Sequence, residues 1–563
     1  MVVRDESIHI QNLEFTPIEE IEQTTIRVRD SFLDSKTRSI DFRKKQLRKL
    51  YWVIHDNQHR IDEALARDLG RPSYESYVSE TSWMLQDILF IVNNLDKWSK
   101  DENAPDIPWG LKSMAPKIRK DPMGSVLIIG ACNYPFQLSF SPLFGAIAGG
   151  NTVVLKPSEQ TPNSAVVMKE LFEMALDSSC FAIVQGGVTE VQTLLASKWD
   201  KIFFTGSQAV GRIVLKAAAQ HLTPVVLELG GLNPAIVTRK ANPRIVARRL
   251  LWAKTLNAGQ TCTAHNYILI ERSILPAVVK ELKRAYSSFY PNGSKDSADY
   301  TRIVSDVAFQ RLKSMLDDSR GKLVLGGTVD EKDRYVEQTF IQVDSMDDSM
   351  IVNEAFGPIC AIVPVNDVDE AIKVARKVQD TTLGAAVFGD ANEQQKVMAG
   401  LRSGSVSLND AQPHISTLAF GGVGESGFGA YRGRSSFDIF VHRRPYTNTP
   451  SWMETLLDIR YPPYSTWKLR MYNLLFEGTP DFDRAGYRSI SIWLRYILWN
   501  RLNLSIARIA TTAISEYIFL HLDLEALSLR EVNSLAFGES LVDFSSWDDG
   551  PAYLPTPPGP RCG

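Results

Sequence analysis

A thiol and a carboxylate, each beside a glycine turn, lie in the middle of this chain. Cys262 ends residues 257–262, NAGQTC, and Glu228 begins residues 228–231, ELGG, directly after the apolar run at 224–227. A thiolate attacks a carbonyl carbon, and a carboxylate activates the water that releases the resulting acyl group. Taken alone, a free cysteine is more often a small core residue, and a glutamate at a strand end is ordinary. The rest of the chain decides between these interpretations.

Composition excludes several classes of protein. The chain has 563 residues, of which 44% are hydrophobic and 23% are charged, as in ordinary globular proteins. The formal net charge of −3 provides no overall basic field, so we predict no nucleic-acid partner. An odd number of scattered cysteines indicates a reducing compartment and not a disulfide framework; the five are at positions 132, 180, 262, 360 and 562. The N-terminus has no apolar core of a secretory signal, and we predict no metal site.

The pattern of apolar residues predicts an α/β protein. Residues 17 to about 100 have helical spacing, and Gly70 is expected to end one of these helices. From about 120 onward, short apolar runs alternate with helical segments, which is typical of parallel strands covered on both faces. One series of runs precedes Glu228 and a second follows it; they lie at 125–129, 152–155, 182–184, 201–204, 225–227, 235–237, 267–270, 360–364 and 385–388. We therefore predict two open α/β domains.

Polar groups follow two of these runs, where an open α/β sheet binds its ligands. Asn133, in GACNYPF, offers an amide that can stabilise an oxyanion, although an Asn-Tyr-Pro turn is also common. Lys156, Ser158 and Glu159, in LKPSE, are candidate ligands for the ribose of a nucleotide. The alternative is a helix start, with Ser158 as the N-cap and the charges in solvent.

Glycine-containing turns mark further candidate positions. Gly206, Ser207 and Gly211 lie between a strand and a helix, where free N–H groups can accept a pyrophosphate, although this is not the usual G-x-G-x-x-G pattern. In EAFGP, Glu354 is a candidate ribose ligand and Phe356 a candidate neighbour of a nicotinamide, or the segment is a simple turn. Residues 420–429, FGGVGESGFG, predict a loop that passes close to backbone or to a ligand.

Together, six of these motifs resemble the aldehyde dehydrogenase superfamily in order and spacing, over roughly residues 18–466. The segment from Phe420 to Arg444 and the sequence RYPPY at 460–464 are similar to the class 3 branch, which includes fatty aldehyde dehydrogenases. The resemblance implies a cofactor domain, a catalytic domain and a small bridging element. It also implies NAD or NADP as the cofactor, an aldehyde as the substrate and a homodimer.

The resemblance assigns roles to individual residues. Cys262 attacks the aldehyde, the Asn133 amide and the Cys262 N–H hold the oxyanion, and Glu228 activates the water that hydrolyses the thioester. The dinucleotide is held by Lys156, Ser158, Glu159, Gly206, Ser207, Gly211, Glu354 and Phe356. Two departures from the family pattern leave the substrate open: Cys132 precedes Asn133, and Thr263-Ala264-His265-Asn266 follows Cys262 where class 3 more often has Pro-Asp at the last two positions.

We predict a cofactor-binding domain at 17–227, with a bridging segment near 100–120, a catalytic domain at 228–419 and a glycine-rich and bridging segment at 420–465. Residues 466–521 alternate apolar residues with arginines, which is typical of a helix lying on a membrane surface; a disordered extension is the alternative. Residues 522–563 are predicted to be disordered. This organisation predicts an intracellular protein, either cytoplasmic or peripheral on an intracellular membrane.

The leading hypothesis is NAD(P)-dependent oxidation of a long apolar aldehyde, such as a fatty aldehyde, to its acid. A close variant has an apocarotenoid or other polyene aldehyde as the substrate, and Tyr134 and Phe136 are candidate lining of its tunnel. Two alternatives stay open at this point. One is an enzyme that passes the acyl group to coenzyme A, and the other is a non-catalytic binding or structural protein on the same fold.

Overall fold

The computed structural model describes residues 8–412, 415–476, 480–488, 490, 491, 493, 494 and 497. The chain divides into two units. The first contains the residues up to Asn103 together with Lys117–Tyr446, and the second contains Ala104–Pro116 and the chain from Thr447 onward. The disorder predicted for 522–563, and most of the tail predicted at 466–521, lie outside the described residues.

Within the described part of the first unit, one large sheet has six strands. Their order across the sheet is Gly427–Phe428, Val225–Leu229, Lys201–Gly206, Ser125–Ile129, Thr152–Lys156 and Phe181–Ile183. All neighbours are parallel except the first pair, which is antiparallel. The parallel strands are almost entirely buried because helices cover the sheet, and this burial explains their uninterrupted apolar sequences. The helices are Pro135–Gly149, Pro162–Ala175, Val188–Ala196 and Gln208–Ala219.

A second large sheet of the same unit has seven described strands. Their order is Lys322–Leu325, Thr339–Gln342, Ile359–Val365, Tyr267–Glu271, Pro234–Val237, Thr381–Phe388 and Arg402–Leu408. Only the first pair is antiparallel among these neighbours. Its helices are Pro243–Thr255, Leu275–Phe289, Asp306–Asp318, Ser349–Val352, Val368–Val378 and Ala391–Gly400. The two sheets confirm the predicted α/β fold class.

Smaller elements complete the first unit. The helical beginning consists of Ile18–Leu33, Ile40–Asp56, Gln58–Leu69, Ser73–Ser76 and Ser82–Trp98, with a π-helical turn at Tyr77–Thr81. Gly70 ends the third of these with a φ of 58°, as expected of a left-handed C-cap. Short antiparallel strands pair Glu102–Asn103 with Lys117–Pro122, Lys117–Pro122 with Val441–Tyr446, and Val329–Asp330 with Tyr335–Val336. Ser435–Asp438 is a single helical turn.

The described second unit is built from short helices. They are Trp109–Met114, Ser451–Met453, Glu454–Leu457, Asp458–Arg460 and Thr466–Phe476. No helix in the described part of the chain is both long and apolar enough to cross a membrane.

The strand that contains Glu228 runs to Leu229, and Glu228 pairs with Thr205 on one side and Gly427 on the other. One local interpretation is wrong. Ser158 is not the N-cap of a helix, because the helix begins at Pro162 after Thr161. The Ser158 hydroxyl instead accepts a hydrogen bond from the Gln160 N–H at 3.3 Å, within the loop that leaves the strand.

Candidate active site

The backbone before Cys262 adopts a conformation that side chains disfavour. Asn257, Ala258 and Gly259 have successive φ values of 50°, 48° and 70°, in the left-handed region that only glycine adopts at little cost. All three residues are buried. Such a backbone persists only when its surroundings fix it. The loop follows the helix Pro243–Thr255 and leaves the Cys262 side chain half-buried.

Two other glycine-containing turns lie near this loop. EAFGP, at 354–358, contacts the loop, and the turn after Glu228 contacts EAFGP. A Cβ atom at Gly259 would lie 2.2 Å from the carbonyl oxygen of Gly357, so EAFGP packs directly on the backbone before Cys262. The Glu354 carboxylate accepts a hydrogen bond from the Gly231 N–H at 3.1 Å, which connects EAFGP to the turn after Glu228. Phe356 itself has a φ of 42°. Segments far apart in the sequence therefore meet around Cys262.

Asn133 lies against the same loop. It is buried, and its Nδ2 donates a hydrogen bond to the Gln260 carbonyl oxygen at 3.0 Å. An amide NH₂ carries two hydrogens, and among the described residues the second has no acceptor. Next to it, the hydroxyl oxygens of Tyr134 and Thr261 are 2.8 Å apart. A candidate oxyanion donor thus sits beside the nucleophile loop.

The carbonyl side of Cys262 is anchored from the second sheet. Asn233 Nδ2 donates to the Cys262 carbonyl oxygen at 2.7 Å and to the Ala264 carbonyl oxygen at 3.1 Å. Its Oδ1 accepts from the Gly384 N–H at 2.9 Å. The backbone around Cys262 is therefore held on both sides, by Asn133 through Gln260 and by Asn233 directly.

Glu228 is a buried carboxyl without hydrogen bonds. It is 4% exposed, and neither carboxyl oxygen has a partner among the described residues. Burial raises the pKa of Glu228 well above its ordinary value, against the opposing charge of Arg432. Burial also raises the pKa of the Cys262 thiol to about 12, and the charges of Glu228 and then Glu354 add to the effect. The charge of this carboxyl therefore acts on the Cys262 thiol.

Arg432 is a site residue that the sequence did not reveal. Its guanidinium lies 4.5 Å from the centre of the Trp83 ring, 5.5 Å from that of Tyr431 and 5.9 Å from that of Phe420. With the Gln137 amide oxygen turned toward it, that oxygen accepts from Arg432 Nη1 at 3.2 Å. Its positive charge lowers the pKa of both Glu228 and Cys262, against burial. The signal in the sequence was an arginine directly after the glycine-rich loop.

The predicted cofactor residues lie at two places on the first sheet. Lys156, the last residue of its strand, forms an ion pair with Glu159, and Ser158 lies buried between them in the sequence. The second place is the start of the helix Gln208–Ala219. Ser207 caps this helix, because its hydroxyl oxygen accepts a hydrogen bond from the Val210 N–H at 3.4 Å. The start of this helix is exposed, and its first N–H groups have no partners within the helix.

Gly211 differs from the expectation of a direct contact with the dinucleotide. It is buried, and a Cβ there would lie 3.0 Å from a Leu229 methyl group, so its absent side chain lets the helix approach the strand. An ammonium–carboxylate pair, an exposed helix N-terminus and the half-buried Glu354 carboxylate together fit a dinucleotide. Carboxylates accept hydrogen bonds from ribose hydroxyls, and helix N–H groups donate to a pyrophosphate.

One expectation about a neighbouring residue is wrong, and burial characterises two others. Phe136 has no exposed surface and packs against Phe140, so it does not line a cavity. His265 is buried, and burial lowers its pKa well below the ordinary value, as expected of a packed neutral histidine. Burial raises the pKa of the Cys132 thiol to about 11.

We expect Gly259→Ala to destabilise the protein more than a left-handed φ alone explains, because the new methyl group would overlap the Gly357 carbonyl. Gly293→Ala is the matched control, since Gly293 has a φ of 83° but nothing within 4 Å of its Cβ position. The control should lose ~1–2 kcal/mol of unfolding free energy, the usual cost of this backbone region for a side chain. Chemical denaturation measures both, and equal losses would contradict the overlap.

We expect Glu228→Gln to change how stability depends on pH. The folded protein binds the Glu228 proton more tightly than the unfolded chain, whose glutamates have a pKa near 4.5. The wild type therefore loses stability as pH rises above that value and toward the raised folded pKa. The melting temperature of the variant minus that of the wild type should increase from pH 5 to pH 8. The exposed Glu425→Gln serves as control, and a flat difference for Glu228→Gln would refute the burial effect.

Known proteins match the part of the chain that contains these site residues. A family model described as the aldehyde dehydrogenase family matches residues 12–444. The beta-apo-4'-carotenal oxygenase of Neurospora crassa is 45% identical, over 87% of this chain and 93% of that protein. The dimeric, NADP-preferring aldehyde dehydrogenase of Rattus norvegicus is 40% identical, over 79% of this chain and 98% of that protein. The 4,4'-diaponeurosporen-aldehyde dehydrogenase of Staphylococcus aureus is also 40% identical, over 79% and 96%.

A solved structure extends the likeness to three dimensions. The substrate-bound state of Staphylococcus aureus AldH superposes with a TM-score of 0.79 at 39% sequence identity, and covers 81% of this chain and 99% of that one. The resemblance found in the motifs is thus confirmed by independent comparison along most of the chain. This protein belongs to the aldehyde dehydrogenase family and is an enzyme that oxidises aldehydes with NAD or NADP.

Proposed function

We propose that this enzyme oxidises an apocarotenoid or other polyene aldehyde to the carboxylic acid. The observation that carries this substrate is the 45% identity, over 87% of the chain, to a protein named for beta-apo-4'-carotenal. A second relative is named for 4,4'-diaponeurosporen-aldehyde. The leading hypothesis from the sequence was a fatty aldehyde, and none of the relatives described above is named for one. The comparisons therefore favour the polyene variant.

The half-buried Trp83 ring is the aromatic face here that supports a flat, apolar substrate. It lies with the buried rings of Phe420 and Tyr431 around the guanidinium of Arg432, whose charge acts on Glu228 and Cys262. Conjugated chains stack on aromatic faces, and each buried CH₂ of a long chain contributes about 0.8 kcal/mol. A polyene aldehyde matches both properties.

In the mechanism that we propose, Cys262 is the nucleophile and Glu228 is the base. An ordinary thiol is only a few per cent ionised at neutral pH, and the pKa of Cys262 is raised to about 12, so the site does not supply a ready thiolate. A base must therefore take the thiol proton, and we assign this role to Glu228, whose charge acts on Cys262. Because the pKa of Glu228 is raised, its ionised carboxylate is a stronger base than an ordinary glutamate.

The developing oxyanion is stabilised by the remaining amide hydrogen of Asn133 and by the Cys262 N–H. Losing such a donor typically costs about 10²–10³ in rate. The bound nicotinamide supplies the hydride acceptor. The acyl group then remains on the Cys262 sulfur as a thioester. Glu228 releases the thiol proton to solvent, accepts a proton from the water that attacks the thioester, and returns it to the departing Cys262 thiolate. The released acid leaves the thiol ready for another aldehyde.

We place the cofactor on the residues that fit it. Lys156 and Glu159 hold the hydroxyls of one ribose, the helix start at Gly206 and Ser207 holds the pyrophosphate, and Glu354 holds the second ribose beside Phe356. Gly211 and Ser158 act indirectly, through helix packing and through the shape of the loop. We also propose a homodimer, in line with the relative named as dimeric. The membrane-surface tail stays a prediction.

Glu159 provides a test of the cofactor site. Its carboxylate repels a 2′-phosphate, and the ion pair with Lys156 offsets that repulsion only in part. We expect Glu159→Gln to raise the kcat/KM for NADP relative to that for NAD about tenfold, equivalent to ~1.4 kcal/mol. Steady-state kinetics with both cofactors measure the ratio. Glu173→Gln, on the surface of a neighbouring helix, is the control, and an unchanged ratio in Glu159→Gln would place the ribose elsewhere.

The substrate is tested with the purified full chain and three aldehydes: a long all-trans polyene, a saturated aldehyde of equal length and a short aldehyde. We expect the polyene to give a kcat/KM at least about tenfold above the saturated chain, a difference of ~1.4 kcal/mol. The acid should form without coenzyme A, as identified by mass spectrometry.

Three outcomes would contradict the proposal in separate ways. A preference for the saturated chain would restore the fatty-aldehyde hypothesis. Formation of an acyl-coenzyme A ester, with product appearing only when coenzyme A is added, would favour the acylating alternative. Full activity in Cys262→Ser would remove the nucleophile assigned here.

A further inference from the structure

One buried guanidinium connects the helical beginning of the chain to both sides of the active site. Arg71 has no exposed surface. Its Nη2 donates to the backbone carbonyl oxygen of Asn133 and, at 2.6 Å, to Asn257 Oδ1. Its Nη1 donates to Glu80 Oε1 at 2.5 Å, and its guanidinium lies 4.9 Å from the centre of the Tyr134 ring. Nothing in the sequence between residues 70 and 81 predicted this position.

Asn257 closes these contacts into a ring. Its Nδ2 donates to the same Asn133 carbonyl oxygen at 2.8 Å and to the Gln260 carbonyl oxygen at 3.0 Å. The Gln260 oxygen in turn accepts from Asn133 Nδ2 at 3.0 Å. The candidate oxyanion amide and the strained nucleophile loop are thus connected through two shared carbonyl oxygens, and Arg71 bonds directly to one of them.

Two buried carboxylates surround Arg71 and fix its place. Glu80 Oε2 accepts from the N–H groups of Phe136 and Gln137, both at 2.9 Å, at the start of the helix that follows Asn133. Glu75 Oε1 accepts from the Asn257 N–H at 2.7 Å, at the first left-handed residue of the loop. The positive charge of Arg71 opposes the increase that burial causes in the pKa of both carboxyls. Guanidinium and carboxylates therefore hold one another without solvent.

We propose that Arg71 is a positioning residue for aldehyde oxidation, which acts through Asn133 and Asn257 to hold the oxyanion amide and the backbone before Cys262 in one geometry. This inference rests on the roles proposed above for Asn133 and Cys262. A planar guanidinium donates to a carbonyl, an amide oxygen and a carboxylate at once, in fixed directions, whereas a lysine ammonium does not. Without it, Asn257 and Ala258 have less to hold them in their disfavoured backbone conformation.

A double-mutant cycle tests the inference with any aldehyde that the wild type oxidises, so the result does not depend on the identity of the natural substrate. We compare the wild type, Arg71→Met, Asn133→Ala and the double variant. If Arg71 acts through Asn133, Arg71→Met should lower kcat about 10–100-fold in the wild type, within the range for loss of an oxyanion donor. In the Asn133→Ala background it should lower kcat at least about threefold less than in the wild type, because only the contact through Asn257 to the backbone before Cys262 then remains to be lost.

Arg43→Met is the matched control, because Arg43 is also a buried guanidinium of the same unit and donates to backbone carbonyls of Thr37, Arg38 and Ala148. Its effect should be equal in both backgrounds. Melting temperatures of all variants are measured alongside. Should Arg71→Met not fold, Arg71→Lys takes its place in the cycle, with a smaller loss of kcat and the same dependence on Asn133.

Equal losses of kcat from Arg71→Met or Arg71→Lys in the two backgrounds would overturn the inference, as would full activity in either variant. A fully active Asn133→Ala would instead overturn the proposed role of Asn133, whatever Arg71 does. A KM that rises while kcat stays constant would assign Arg71 to binding and would also overturn the inference.

Discussion

The active site depends on a buried backbone that is unfavourable by itself. Asn257, Ala258 and Gly259 all have positive φ values, and they have no solvent in which to relax. What maintains them is contact from several directions: Gly357 against Gly259, Glu75 on the Asn257 N–H, and Asn233 on the carbonyl of Cys262. Each contact comes from a different part of the chain. The position of the thiol is thus a property of the whole first unit.

Burial also sets the electrostatics of the site. It raises the pKa of the Cys262 thiol to about 12 and raises the pKa of Glu228 well above its ordinary value, so ionisation of either group is disfavoured. Arg432 is the described cation that opposes this for both groups. An uncharged, protected thiol is less exposed to oxidation and alkylation than a free thiolate. The same burial that delays ionisation also strengthens every later interaction with a developing oxyanion, because the local dielectric is low.

The features that could be predicted from the sequence are those that follow from local patterns of residues. Parallel strands were recognisable as apolar runs, and polar groups at their ends were candidates because strand ends converge. Asn133 was found in this way, and Cys262 was found as a thiol after a glycine-containing segment; their loops do contact one another. The interpretation of Ser158 as an N-cap failed because Pro162, not Ser158, sets the helix start. Arg71 was out of reach because only the tertiary fold brings it to the site, whereas Arg432 had a weak signal, its place three residues after the glycine-rich loop.

The Arg71 contacts have a consequence for recombining this enzyme with its relatives. The helical segment around residues 71–80 belongs by sequence to the beginning of the chain, yet it completes the scaffold of the loop before Cys262 through Glu75 and Arg71. A chimaera that exchanged only the strands and helices after residue 120 would join a foreign nucleophile loop to this guanidinium. Crossover points should therefore keep residues 71–80 and 257–260 from the same parent.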